Sequence, residues 1–137
     1  MSDDEEKQRL DGFNANRGPL LEKMELEWLE ASPERVVARI PVQGNAQPFG
    51  VLHGGASGVL AESIASVGAW LADTSRIALG VELKVNHLRP ARSGWITGTG
   101  TPLYSGKTLT VWEIRMHNDE GQLTAFATCT VALRDGD

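Results

Sequence analysis

Apolar positions recur along this chain with two periods, close to two over several short runs and at helical spacing over one long run. Val36, Ala38, Ile40 and Val42 alternate with Arg35, Val37 and Arg39, the pattern of a strand with one strongly buried face, and Pro41 marks its edge or its end. Ahead of it, Gly18 to Met24 holds Pro19, Leu20, Leu21 and Met24, which predicts a short helix opened by proline and leading into a first strand. From Ala56 to Ala72 the large residues Leu60, Ile64, Val67 and Leu71 fall at helical spacing, while Ala56, Gly58, Ala61, Ala65, Gly68 and Ala69 keep the other sides thin. Glu62 is the one charged residue between Gly54 and Ala72, so this helix is expected to lie under a sheet on one side and against other protein elsewhere. Beyond it, β-branched and alternating runs at roughly 76 to 88, 94 to 104, 107 to 117 and 122 to 133 are split by Ser93-Gly94, Ser105-Gly106 and Asp119-Glu120-Gly121, which predicts four strands in meander order. Two strands, one long buried helix and four strands make an α+β arrangement in which an antiparallel sheet curls around a helix. Residues 1 to 7 are polar and acidic without apolar periodicity and read as a disordered tip, leaving 8 to 137 as a single domain.

Composition narrows the classes of function. The chain has 137 residues, enough for one hydrophobic core. A net charge of -5 without a basic face argues against nucleic acid as a partner. Cys129 is the single cysteine, which excludes an internal disulfide framework and a multi-cysteine zinc site and fits a reducing compartment; it reads as a buried strand residue. Asp3, Asp4, Glu5 and Glu6 stand where a secretory signal carries positive charge, and no run approaches a membrane span, so a cytoplasmic location is expected.

Glu62 is the leading chemical candidate, because a carboxylate among small and apolar helix positions is costly to bury without a purpose. The alternative is an ion pair with an arginine at an oligomer interface. Ser66, one turn on, shares its stripe and can orient the carboxylate or a water. Gly54 and Gly55, just before the helix, serve a sharp turn, an exposed backbone N–H facing a ligand oxygen, or both. Such an amide polarises a carbonyl and stabilises the oxyanion formed on attack. Gly54 and Glu62 are eight residues apart, about 12 Å of helix, whereas hydrogen-bond reach is about 3 Å. If both act on one carbonyl, they come from different subunits and the site lies across a two-fold interface. Gln47, His53 and His87 are further polar candidates, while His117 reads as a solvated strand end. The three histidines lack metal-ligand spacing, so no metal site is expected. Gly106-Lys107-Thr108 imitates the end of a phosphate-binding loop, but Thr101 stands where that loop needs glycine, which leaves a hairpin turn.

The run Gln47-Pro48-Phe49-Gly50-Val51-Leu52-His53-Gly54-Gly55-Ala56, followed by Leu60-Ala61-Glu62-Ser63 and Ser66, resembles the hotdog-fold thioesterases of the PaaI type and the related 4-hydroxybenzoyl-CoA thioesterases with a helix glutamate. The resemblance extends through Asn86-His87-Leu88-Arg89-Pro90 and covers the chain from about Gly18 onward. It implies a central helix in a curved sheet, a homodimer joined edge to edge, and commonly a homotetramer. It implies Glu62 as nucleophile or general base, the Gly54 amide as polariser of the thioester carbonyl, and Gln47 and Ser66 as positioning groups, with His53 and His87 as lesser helpers and Gly55 beside the substrate. Arg89 and Lys107 fall where the family places contacts to CoA phosphates. The implied reaction is hydrolysis of an acyl-CoA with an aromatic or short- to medium-chain acyl group. It needs no cofactor, since CoA enters as part of the substrate. The rivals are a hotdog acyl-CoA hydratase or dehydratase and a non-catalytic acyl-CoA binding or sensing protein.

Overall fold

The computed structural model describes residues 1–136; Asp137, the last residue of the expected domain, lies outside them. The elements in chain order are α1 (Asp3–Ala15), α2 (Pro19–Lys23), β1 (Glu27–Ala31), β2 (Val36–Pro41), α3 (Gly54–Ala72), β3 (Ile77–His87), β4 (Trp95–Ser105), β5 (Leu109–His117) and β6 (Leu123–Arg134). All six strands join one antiparallel sheet in the order β1-β2-β4-β5-β6-β3, and α3 packs across its concave side, which is the hotdog fold.

The core follows from two periodicities meeting. Leu60, Ile64, Ala61 and Ala65 of α3 are fully buried against Ile40, Ile96, Ile114, Met116 and Val131, which project from the inner face of the strands. Burying each large side chain contributes about 1.5–3 kcal/mol relative to exposure. Close approach of sheet and helix depends on absent side chains. A Cβ on Gly98 would come within 2.8 Å of Ile64 Cδ1, and Gly68 lies directly under the six-membered ring of Trp112.

Two expectations are corrected. Residues 3–7, expected to be disordered, form the first turns of α1, because Ser2 caps the helix through its hydroxyl and four acidic side chains sit at the positive end of the helix dipole. Farther along, Leu10 and Phe13 pack on the core, and Asn14 bonds both backbone groups of Trp28. The meander is also incomplete: β4, β5 and β6 follow one another, but β3 pairs with β6 at the far edge. The helix carries the chain across the sheet, so β3 starts on the side opposite β2 and the last three strands fill the gap.

Candidate active site

The loop before α3 is tied down by its own backbone. Gln47 N–H donates to Val51 O and His53 N–H to Asn45 O, while Gly50 turns the chain at φ 84°. The Gln47 side-chain oxygen accepts from the Phe49 N–H, which leaves its NH2 group as the free end. His53 is the N-cap of α3, and its Nδ1 accepts from the Gly55 N–H at 2.8 Å. That bond fixes Nδ1 as the acceptor, so a neutral His53 carries its proton on Nε2. The Gly55 amide is thus consumed, whereas the Gly54 N–H has no partner among the described residues and stays available at the positive end of the helix. His87, the last residue of β3, leans on Gly54: an added Cβ there would lie 3.1 Å from His87 Cε1 and 3.2 Å from Nε2.

Gln47, Gly54, His87 and Arg89 together line one cavity of about 350 Å³. The sequence reading missed Ser57 and Thr124, which are buried in the same wall. Ser57 stands three residues after Gly54 and was legible as its helical neighbour; Thr124 is brought in only by the sheet register.

Glu62 is elsewhere. It lies with Ser63, Ser66 and Val67 on the stripe of α3 that the sheet does not cover, in an open cavity of about 260 Å³ that Leu21 and Trp28 also line. Glu62 is exposed, which corrects the expectation of a buried carboxylate at the level of one chain. Its carboxylate lies close over the backbone of Gly80 in β3, where a Cβ would come 2.5 Å from Oε2. Its charge also reaches Cys129: burial, with the Glu62 carboxylate adding a smaller push, raises the thiol to about 11. Ser66 and Val67 continue the stripe into a second opening bounded by Trp70, Ile77 and Ala78. Lys107 is exposed at the β4–β5 hairpin and lines neither cavity, and His117 ends β5 as expected. Among the described residues no three His, Cys, Asp or Glu side chains cluster to hold a metal ion, and no helix is long and apolar enough to cross a membrane.

Comparison with known proteins agrees with this fold. A profile of the thioesterase superfamily matches residues 49–125. The 1,4-dihydroxy-2-naphthoyl-CoA hydrolase of Escherichia coli is 35% identical over 127 residues, covering 90% of this chain and 93% of that protein. The enzyme of the same name in Listeria monocytogenes is 35% identical over 117 residues, covering 84% and 95%. A mutant thioesterase from Pseudomonas aeruginosa superposes with a TM-score of 0.86 at 36% identity, covering 91% of this chain and 93% of that one. The chain belongs to the thioesterase superfamily and is a hotdog-fold thioester hydrolase.

Proposed function

We propose that the protein hydrolyses an aromatic acyl-CoA at a site shared between two copies of the chain. The observation that carries this reading is the separation of the two halves: the free Gly54 amide lies in one cavity and Glu62 in another, about 12 Å along the same helix. One carbonyl cannot meet both from a single chain. The edge strand β3, which runs between the two halves, offers the means of joining a second copy: Val81 is 62% exposed, and Ile77, Leu79 and Leu83 are exposed beside it. A long apolar edge of this kind is stable when paired.

In the joined site the thioester carbonyl accepts from the Gly54 N–H of one subunit, with Gln47 and His87 beside it. Glu62 of the other subunit either attacks the carbonyl carbon or removes a proton from the attacking water, with Ser66 orienting it. The C–S bond breaks, CoA leaves as the thiolate and takes up a proton, and the acid is released with one water consumed. Arg89, at the rim of the Gly54 cavity, suits a phosphate of CoA. The acyl group lies along the uncovered stripe of α3 past Ser66 toward Trp70, against Val67, Leu21 and Trp28. Those walls suit a ring, in keeping with the naphthoyl-CoA named for two relatives.

The test is thiol release from a panel of aromatic, short-chain and long-chain acyl-CoAs, with wild type beside Glu62→Gln. Expected is fastest release from aromatic members and a loss of about 10²–10⁴-fold in the variant. If neither protein released thiol although both bound acyl-CoA, the hydrolytic reading would give way to a binding protein.

A further inference from the structure

The cavity that holds the Gly54 amide also holds a hydroxyl without a task in the scheme above. Ser57 is only 3% exposed and borders this cavity. A serine inside a helix ordinarily bonds back to the carbonyl four residues earlier. Here that acceptor is taken, since His53 O accepts from the Ala56 N–H at 2.9 Å and from the Ser57 N–H at 3.4 Å. Thr124, the other buried hydroxyl of the wall, donates to Met116 O at 3.2 Å, whereas Ser57 Oγ makes no hydrogen bond among the described residues. Burying a hydroxyl in this way is costly unless a partner arrives. The oxygen is not sealed in, because among the described residues the polar side-chain atoms wholly enclosed without a partner are Thr110 Oγ1 and Trp112 Nε1. Ser57 Oγ thus keeps open surface, and the space that Ser57 borders is the Gly54 cavity.

The helix aims this hydroxyl. Ser57 follows Gly54 by three residues, about 4.5 Å along the axis and on the same side of α3. Cα–Cβ bonds tilt toward a helix N-terminus, so the Ser57 side chain leans back to the end where the Gly54 N–H is free. No Asp or Glu borders the cavity, while Arg89 does. The wall therefore offers donors and positive charge but no carboxylate to accept the Ser57 proton, which suits a ligand oxygen that gathers negative charge.

We infer that the Ser57 hydroxyl gives the thioester oxygen a second hydrogen bond, beside the Gly54 N–H of the same subunit. This role rests on the hydrolytic reading of the cavity. As the nucleophile's electron pair forms the new bond to the carbonyl carbon, the π pair of C=O moves onto oxygen, where both donors meet it. Ser57 keeps its proton throughout, and the pair returns to re-form C=O as the C–S bond breaks.

Two measurements on the full-length protein test this. With benzoyl-CoA as substrate, Ser57→Ala should lower kcat about 10²-fold and leave KM within about twofold, the mark of a donor used mainly in the transition state. Its urea midpoint should stay near that of wild type, because alanine favours a helix. Ser57→Cys, with a weak donor of similar size, should fall between the two; full activity in that variant would assign the alanine loss to volume and overturn the role. The second measurement needs no turnover. In phenacyl-CoA a methylene separates sulfur from the carbonyl, so the oxygen is kept but no thiol leaves. Infrared difference spectra with a 13C-labelled carbonyl should place its stretch below the value in water when bound to wild type, and part of the way back in Ser57→Ala. Equal kcat and equal stretch in wild type and Ser57→Ala would overturn the Ser57 bond and leave the Gly54 site standing. A stretch in wild type unchanged from water would instead overturn the carbonyl site itself, and the role of Ser57 with it.

Discussion

At the scale of single residues, the site is shaped as much by missing side chains as by present ones. Gly80 is the clearest case, since its lack of a Cβ lets the Glu62 carboxylate rest on β3. On the role proposed for Glu62, Gly80→Ala is expected to push the carboxylate aside and lower kcat/KM by about 10–10²-fold, the cost of misplacing such a group by about an ångström. Urea unfolding should show near wild-type stability beside that loss; full activity would mean that Glu62 works from another position. Cys129 gives a pH effect of defined sign. Its thiol sits at about 11 in the folded chain against an ordinary 9.0, so both states hold the proton below pH 9 and the unfolded state loses it first above. Stability is present below pH 9 and is lost as pH rises through 11, by roughly 2–3 kcal/mol. Unfolding measured at pH 8 and pH 11 should show this loss in wild type in excess of Cys129→Ala.

At the scale of elements, the two edges of the sheet are treated differently. The β1 edge is closed by α1 with side chains in place of a strand: Asn14 donates to Trp28 O at 3.0 Å and accepts from Trp28 N at 2.8 Å, and Arg9 reaches Ala31 O, while Arg17, just after the helix, reaches Leu26 O, just before the strand. Asn14→Ala is expected to cost about 1–3 kcal/mol in urea unfolding, because a half-buried strand amide loses its partner. An unchanged midpoint would show that water replaces Asn14 without loss. The other edge, β3, has eleven residues and no such cover among the described residues. That asymmetry leaves β3 as the edge open to the second copy proposed above.

At the scale of the whole molecule, a shared site makes a prediction that no single-chain site makes. Glu62→Gln subunits and Gly54→Pro subunits, the latter lacking the N–H at a first helical position that tolerates proline, are each expected to be inactive alone and to regain activity when unfolded together and refolded. Random pairing gives half mixed dimers, each with one intact site and one doubly defective site, hence about a quarter of wild-type activity. If both groups served one carbonyl within a chain, mixing would restore nothing.

The sequence by itself determined the elements from Gly18 onward, though not α1. The period-two runs and the helical run each mark one strand or helix to within about two residues, because burial on one face writes a local spacing into the chain. It also marked Gly54 and Glu62 as chemically unusual and too far apart to meet along one helix. What it could not hold was information carried by pairing between distant segments. The place of β3 beside β6 depends on the path of α3 over the sheet, and α1 is secured by contacts to β1 that have no local period. Tertiary structure alone left Glu62 uncovered against Gly80, set His87 on Gly54, and brought the Trp112 ring against Gly68. Each of these is a relation between surfaces that approach only after the sheet has closed on the helix, so the order of residues marks the groups while packing decides which of them meet.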